Sequence, residues 1–244
     1  MRARIKSVLT QAGLYDRASR GWIWLEPKLI RATRAVTGRN RRLVRGYLAG
    51  HPVAKLHIGC GDNELPGWLN TELCPRRSQV YLDATRPFPL PDNCIDVVYS
   101  EHMIEHVPWS GGRAMLRECF RVMKPGALLR IVTPDLAFLM RLVEGPLTPI
   151  HQAYIRYSLE EYEIDPPDGS AAHVVNNFVR AWGHQFIYND SALRQLMTEA
   201  GFTSITARRI DDSAQSALAG LAKVNRMPAG FLGMESLALE ARKP

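Results

Sequence analysis

The sequence has no hydrophobic run that approaches the roughly 20 residues needed by a membrane-spanning helix. Cysteine is also scarce: Cys60, Cys74, Cys94 and Cys119 form no C-x-x-C pair and have no zinc-ligand spacing. This argues against a disulfide framework and a zinc motif. The basic N-terminus is not followed by the apolar core and small-residue cleavage site of a signal peptide. We therefore expect a cytoplasmic protein with reduced thiols.

Acidic residues are nearly absent from the first 50 positions. This segment holds ten Arg and two Lys but only Asp16 and Glu26, a net charge of +10. Because the whole chain carries +7, residues 51–244 sum to −3. A basic segment that also contains Trp22 and Trp24 could lie on an anionic membrane surface or meet nucleic acid. It could equally be a helical cap with solvated arginines. The acidic remainder disfavours a nucleic-acid partner.

The chain of 244 residues, with 46% hydrophobic and 23% charged residues, is typical of one globular domain with an appendage. We expect a basic helical extension over 1–50 and one domain over 51–244. Within the domain, strands alternate with connections up to about residue 135, which predicts a mostly parallel sheet covered on both faces. The later predicted elements are a helix over 111–123, a strand over 127–133, a helix from Asn189 to Gly201, and strands over 202–210 and 236–242.

The most informative motif is Gly59-Cys60-Gly61, which ends an apolar strand-like run that starts near Ala54. Glycines are needed where a backbone turns sharply and lets a ligand approach. Acidic residues then end the next two predicted strands: Glu72 ends the strand over 68–72, and Asp83 ends the strand over 80–83. A fourth predicted strand, Ile95–Tyr99, leads directly into Ser-Glu-His-Met-Ile-Glu-His at 100–106.

With these residues the chain resembles the class I S-adenosylmethionine (SAM)-dependent methyltransferases. It is similar in particular to small bacterial, type 11-like methyltransferases that are often associated with surface-polysaccharide biosynthesis. The segments that carry the resemblance are Leu56–Asn63, Leu65–Asn70, Pro87–Asn93, Tyr99–His106, Arg121–Gly126, Thr133–Asp135, Trp182–Tyr188 and Glu235–Glu240. The resemblance implies an α/β Rossmann-like fold: a seven-stranded, mostly parallel sheet with helices on both faces and an antiparallel last strand. It also implies that 136–185 forms a lid over the acceptor.

The first crossover distinguishes between cofactors. Only Asp62 to Gly67 separate the glycine turn from the next strand, whereas a parallel crossover usually takes a dozen or more residues. The helix whose N-terminus would bind a pyrophosphate must be largely missing. The third glycine of a dinucleotide motif is also absent. SAM has no phosphate, so both departures favour SAM over NAD.

The expected cofactor-binding residues lie at the ends of strands, where ligands of open α/β sheets bind. They are Gly59, Gly61, Glu72, Asp83, Ala84, Ser100 and Glu101. Glu72 has two acceptor oxygens for the two ribose hydroxyls. Asp83 and Ala84 would bind the adenine amino group. Ser100 and Glu101, just past the fourth strand, would face the methionine end of SAM.

Three histidines are candidate catalytic bases, since histidine titrates near neutral pH. His102 and His106 are four residues apart, so on a helical turn they would share a face, and Glu105 could orient one of them. His184 sits among aromatic residues after Gly183. We expect His184 or His106 to be the base. Although these residues with Glu101 could suggest a metal cluster, we expect no metal, because histidines in this region of the resembled family usually line the pocket.

The sequence therefore predicts methyl transfer from SAM to a small-molecule or lipid-linked acceptor, most simply a sugar hydroxyl. The alternatives are an RNA or protein methyltransferase that uses the basic N-terminus, and a non-catalytic partner protein with this fold. Against the first, Thr133-Pro-Asp-Leu136 replaces the Asn/Asp-Pro-Pro-Tyr signature of enzymes that methylate planar nitrogens. Against the second, the set of two glycines and two acids at the strand ends is intact.

Overall fold

The computed structural model describes residues 29–34, 36–164, 170–222 and 226–244. Its strands are β1 (Lys55–Ile58), β2 (Leu69–Glu72), β3 (Val80–Tyr81), β4 (Ile95–Glu101), β5 (Met123–Pro134), β6 (Thr203–Arg208) and β7 (Ser236–Arg242). Its helices are α1 (Arg39–Gly50), α2 (Trp109–Val122), α3 (Leu136–Glu144), α4 (Pro149–Glu161), α5 (Ala171–Arg180), α6 (Asp190–Ala200) and α7 (Phe231–Glu235), with a 3-10 turn at Ile104–His106.

The described strands form one seven-stranded sheet in the order β3-β2-β1-β4-β5-β7-β6. Strands β1 to β5 pair in parallel, and β7 runs antiparallel between β5 and β6. This confirms the predicted Rossmann-like architecture with one antiparallel strand. Because β1 to β4 are parallel, their carboxyl ends lie along one edge of the sheet, and the chain segments that follow them meet there.

Two of the strand boundaries that differ from the prediction bear on the predicted site residues. Strand β4 does not end at Tyr99 but continues through Ser100 and Glu101, because β5 offers a paired strand at Ile131 and Val132. Ser100 and Glu101 therefore belong to the sheet rather than to the loop after it. At the sheet edge, β3 stops at Tyr81, so Asp83 follows the strand rather than ending it.

The main hydrophobic core confirms the helical pattern read from the sequence. In α2 the apolar residues Met115, Leu116 and Cys119 are fully buried, and Phe120 packs against the same core. Helix α6 begins at the predicted cap: the side chain of Asn189 accepts a hydrogen bond from Ala192 N. It ends at Gly201, which has a φ of 103°.

Helices α3, α4 and α5 occupy most of the region predicted to be a lid. They have a hydrophobic cluster of their own, centred on Phe138, Tyr154, Ile155 and Phe178. Helix α3 starts where the side chain of Asp135 accepts a hydrogen bond from Ala137 N. This cluster lies beyond the carboxyl end of β5, so it stands above the sheet edge at which β1 to β4 end.

The described part of the predicted N-terminal extension is helical and packs on the sheet edge. The side-chain amide of Asn40 donates to Tyr81 O at 2.8 Å and accepts from Tyr81 N at 3.1 Å. These two hydrogen bonds join α1 to the edge strand β3. Residues 1–28, which carry both N-terminal tryptophans, lie outside the described residues. In the described part of the chain, no helix combines the length and the hydropathy that crossing a membrane requires.

Candidate functional site

The glycine motif forms the turn after β1. Gly59 has a φ of 67° and Gly61 a φ of 49°, a left-handed conformation that residues with a Cβ rarely adopt. A Cβ on Gly59 would also overlap the side chain of Met103, whereas a Cβ on Gly61 would meet open space. The first glycine therefore allows close packing of the protein on itself, and the second leaves room beside the backbone.

Glu72, which ends β2, and Asp83, which follows β3, stabilise their own turns. Glu72 accepts hydrogen bonds from Gly61 N at 3.0 Å and from Leu73 N at 2.7 Å, which ties the glycine turn to the end of β2. Asp83 accepts from both the backbone and the hydroxyl of Thr85, and Arg86 donates to its second oxygen at 3.0 Å. Both carboxylates are thus held in place at the sheet edge.

A cavity of about 350 Å³ opens at this edge. We call it the strand-end cavity; its lining residues are Ile58, Gly59, Gly61, Glu72, Leu73, Leu82, Asp83, Ala84, His102, Met103, His106 and Val107. Five of the seven residues predicted to bind the cofactor are among them. The sequence-based prediction therefore selected residues that are distant along the chain but adjacent in the fold.

Ser100 and Glu101 do not belong to the residues that line this cavity. Ser100 is fully buried inside β4, and its hydroxyl has no hydrogen-bond partner. Glu101 accepts a hydrogen bond from the buried hydroxyl of Tyr99 at 3.0 Å and lies 3.5 Å from the guanidinium of Arg226. Their inclusion in β4 explains this position, because side chains within a strand point into the layers above and below the sheet.

A second cavity of about 300 Å³ lies beside the first. We call it the histidine cavity; its lining residues are His102, Glu105, His106, Pro134, Tyr157, Glu161, Tyr162, Phe178, Trp182, His184, Arg226, Met227 and Glu235. All three candidate bases line it. His102 and His106 line both cavities, so these two side chains mark the place where the cavities meet.

His184 reaches this cavity because its segment is hydrogen-bonded to the 3-10 turn. Gln185 N donates to Glu105 O at 2.8 Å, and the Gln185 side chain donates to His106 O at 2.8 Å. The rings of His106 and His184 consequently lie edge to face with 4.9 Å between their centroids. Residues 78 positions apart in the sequence thus form one pair.

Burial lowers the pKa of both histidines of this pair. For His106 the neighbouring His184 lowers it further, while for His184 a hydrogen bond to Phe178 O opposes the shift. That bond, 2.6 Å from Nδ1, requires a proton on Nδ1 and leaves Nε2 as an acceptor. The lowered pKa favours the neutral form of both imidazoles, the state in which a base can take up a proton.

His102 contacts the start of β7. Its Nε2 lies 3.0 Å from the Ser236 hydroxyl, and its Nδ1 lies 3.4 Å from Glu105 Oε1 without the geometry of a hydrogen bond. Its backbone has a φ of 47°, an unusual conformation for a non-glycine residue. Burial also lowers the pKa of His102 well below its ordinary value. Glu105 thus lies close to a histidine, as predicted, but the two side chains are not hydrogen-bonded.

Two buried carboxyl groups border the histidine cavity. Burial raises the pKa of Glu105 to about 8 and that of Glu235 to about 7. Thr133 donates a hydrogen bond to Glu105 Oε2 at 3.1 Å, and the Tyr154 hydroxyl donates to Glu235. Together with the guanidinium of Arg226, these groups make the cavity polar at one end.

Sequence reasoning missed Phe178, Arg226 and Glu235 as lining residues. Phe178 lies on a helix face that reads as ordinary core, and Arg226 stands in no motif. Glu235 does begin one of the segments that carry the resemblance to methyltransferases, which was a usable signal. Of the described residues, Glu105, His106 and His184 are the acidic, histidine and cysteine side chains whose ligand atoms come within 4.8 Å of one another.

Comparison with known proteins relates the central part of the chain to methyltransferases. Residues 70–131, which run from β2 into β5, match a family model described as a methyltransferase domain. A probable SAM-dependent methyltransferase of Mycolicibacterium smegmatis is 38% identical over 63 residues, which cover 26% of this chain and 24% of that protein. A probable SAM-dependent methyltransferase of Mycobacterium tuberculosis is 38% identical over 63 residues, 26% of this chain and 22% of that protein. These matches support the predicted cofactor.

The matched part spans about a quarter of the length of these curated relatives. Among solved structures, a SAM-dependent methyltransferase from Archaeoglobus fulgidus aligns with 91% of this chain and 99% of its own, at 21% identity and a TM-score of 0.46. A Thermotoga maritima structure described as a possible histamine N-methyltransferase aligns with 91% of this chain and 100% of its own, at 14% identity and a TM-score of 0.45.

Proposed function

We propose that this protein transfers a methyl group from SAM to a hydroxyl of a small-molecule or lipid-linked acceptor, most simply a sugar. The observation that carries the proposal is the pair of adjoining cavities that share His102 and His106. A donor in the strand-end cavity and an acceptor in the histidine cavity would meet at these two side chains. Such alignment can supply roughly 7–11 kcal/mol of catalysis in a two-substrate reaction.

The strand-end cavity is suited to SAM in three respects. Gly61 leaves open space beside its Cα, Glu72 offers a carboxylate at the end of β2, and Asp83 with Ala84 offers polar atoms one strand further out. Glu72 and Asp83 are bonded to backbone and neighbouring side chains, so they are already oriented. Bound SAM supplies a methyl group on a cationic sulfur, which needs no phosphate-binding helix.

The histidine pair would supply the base. In the reaction the acceptor oxygen forms a bond to the methyl carbon, the carbon–sulfur bond breaks, and its electron pair stays on sulfur. The hydroxyl proton goes to Nε2 of His184 or to His106, whose neutral forms are favoured because burial lowers their pKa. Positioned bases of this kind contribute about 10²–10⁴-fold.

A sugar fits the walls of the histidine cavity. Tyr157, Tyr162 and Trp182 present aromatic rings, and Arg226 and Glu161 present groups that hydrogen-bond hydroxyls. The rings of Tyr162 and Trp182 lie edge to face with centroids 4.8 Å apart, so they form one aromatic surface of the wall. A role in polysaccharide biosynthesis is part of this proposal.

The basic N-terminal segment would carry the protein to an anionic membrane surface, where lipid-linked acceptors reside. In its support, the described part of the segment presents four exposed arginines, Arg31, Arg41, Arg42 and Arg45. Co-sedimentation with anionic and neutral vesicles, with and without residues 1–28, tests this. Retention of RNA instead of vesicles would favour the alternative RNA methyltransferase.

The decisive experiment is calorimetric titration of the purified protein with SAM and with S-adenosylhomocysteine. We expect micromolar binding of both, after which sugars and lipid-linked glycans are screened as acceptors by release of S-adenosylhomocysteine. A folded sample that binds neither compound would contradict the proposal and favour a non-catalytic partner protein. Methylation of RNA or protein, but of no sugar, would contradict the acceptor.

A further inference from the structure

Glu105, His106 and His184 form a compact set of ligand atoms that methyl transfer by itself does not require. One atom from each side chain lies within 4.8 Å of the other two. Glu105 is fully buried, and both histidines are half-buried at the wall of the histidine cavity. A base needs one imidazole, whereas this arrangement supplies two imidazoles and a carboxylate on one side of the cavity.

The groups behind these side chains hold them in position. The Phe178 carbonyl accepts the Nδ1 proton of His184, which leaves Nε2 available toward the cavity. Thr133 donates to Glu105 Oε2, and the Gln185 backbone fixes the carbonyl of the same residue. Hydrogen bonds from ligating histidines and carboxylates to outer partners are the usual surroundings of a protein metal site.

The other carboxylate oxygen of Glu105 is unexplained by the protein alone. Oε1 is buried and has no hydrogen-bond partner, and the nearest nitrogen, His102 Nδ1, lies at 3.4 Å without suitable geometry. A buried polar atom without a partner costs free energy, and native structures rarely leave one. A cation between Glu105 and the two histidines would provide that partner.

We propose that Glu105, His106 and His184 bind one divalent transition-metal ion, Zn²⁺ being the first to test. Two imidazoles and one carboxylate are a ligand set that zinc uses in catalytic sites, with the fourth position open. Ligand atoms around tetrahedral zinc lie about 3.4 Å apart, so the cluster must contract by at most about 1.4 Å.

The role of the ion in turnover rests on the proposed function. An ion held by these three side chains would bind the acceptor oxygen in the histidine cavity and lower the pKa of that hydroxyl. The hydroxyl proton would leave to solvent as the oxygen–methyl bond forms and the carbon–sulfur bond breaks with its electrons on sulfur. The ion would thus replace a free imidazole as the activating group.

The test uses the full chain after removal of metals by a chelator. Titration with Zn²⁺ by calorimetry should give one site, and titration with Co²⁺ should give the visible absorption of a four-coordinate ion. Glu105→Gln and His184→Ala should each weaken Zn²⁺ binding by more than about 100-fold, beyond the 10–100-fold typical of outer partners. His51→Ala, which changes a histidine at the end of α1, is the matched control and should bind as wild type.

Thermal unfolding of each protein, with and without Zn²⁺, guards against variants that fail to fold. The ion should raise the midpoint of wild type and of the control, but not that of His184→Ala. Wild-type protein that binds neither ion, or variants that bind like wild type, would overturn the site. Parallel titration with SAM separates the two proposals. A protein that binds SAM but no metal ion would contradict only the metal site, and one that binds the metal ion but not SAM would contradict only the proposed methyltransferase function.

Discussion

The strand-end cavity and the histidine cavity adjoin and share His102 and His106, yet they are built in different ways. The first is made mostly by turns and residues that follow β1, β2 and β3. The second combines the turn after β4 with α4, α5, the segment around His184 and the chain near Glu235. One cavity belongs to the edge of the sheet, and the other to the packing of the lid region on that edge.

The features of the first cavity are specified by short segments of sequence, whereas those of the second depend on contacts between distant segments. At the strand-end cavity a glycine turn and an acid at the end of a strand each have a short sequence signature. At the histidine cavity the decisive contacts are hydrogen bonds between distant segments, such as Gln185 N to Glu105 O at 2.8 Å. We therefore expect changes at the first cavity to act on the cofactor, and changes at the second to act on the acceptor.

The largest effect expected from this comparison is on turnover. His184→Ala should reduce kcat by about 10²–10⁴-fold, the usual contribution of a positioned base. The affinity for SAM should stay near wild type, because His184 does not line the strand-end cavity. Release of S-adenosylhomocysteine and calorimetry measure the two quantities, with His51→Ala as control. Full activity of the variant would exclude His184 as the base. A loss of SAM affinity that matches the loss of kcat would contradict the assignment of the two cavities to cofactor and acceptor.

Two buried titratable groups, His57 within β1 and Glu235 at the histidine cavity, should give opposite pH dependences of the free energy of unfolding. Burial lowers the pKa of His57 on β1 to about 4, so the unfolded chain binds a proton that the folded protein excludes. Stability should rise with pH from about 4 to 6.5, by roughly 3 kcal/mol. Glu235, with a raised pKa of about 7, stays protonated in the folded protein while the unfolded chain ionises, so its contribution falls from pH 4.5 to 7.

Denaturant unfolding at pH 4 to 8 measures these slopes. His57→Gln should remove the rising contribution, and Glu235→Gln should remove the falling one. Subtracting each variant from wild type isolates one group, because all other titrations cancel when the sites are distant. Two difference curves of the same sign would show that burial does not control these groups as argued.

The glycine turn provides a matched pair within the strand-end cavity. Gly59 and Gly61 both have left-handed backbones, so alanine at either position suffers similar strain. Only at Gly59 would the added Cβ overlap Met103. Gly59→Ala should therefore lower the free energy of unfolding by about 1–3 kcal/mol more than Gly61→Ala, the typical cost of overpacking. Equal losses in denaturant unfolding would contradict this packing role of Gly59.

The smallest expected effect is on the affinity for SAM when Glu72 or Asp83 is replaced. Glu72→Ala or Asp83→Ala should weaken SAM binding at least about tenfold, close to one lost hydrogen bond to a charged group. With saturating SAM, kcat should change little, because neither acid lines the histidine cavity. Calorimetry on both variants checks the affinity, and unchanged binding in both would remove these residues from the cofactor site.

The chain by itself determined the sheet and one half of the site. The alternation of apolar strands with helices, the glycine turn at Gly59 and the acids at Glu72 and Asp83 are local patterns, and parallel strands bring their carboxyl ends to one edge. The periodic apolar face of α2 predicted its buried side equally well. These features follow from backbone geometry, which short sequence segments specify.

Only the tertiary structure decided that Ser100 and Glu101 lie inside β4, since that depends on the pairing offered by β5. It also decided that His184 lies against His106, that Glu105 Oε1 is buried without a hydrogen bond, and that Arg226 and Glu235 border the same cavity. Such juxtapositions arise from the docking of segments far apart in the chain, and no local pattern encodes the distance between two side chains on different segments.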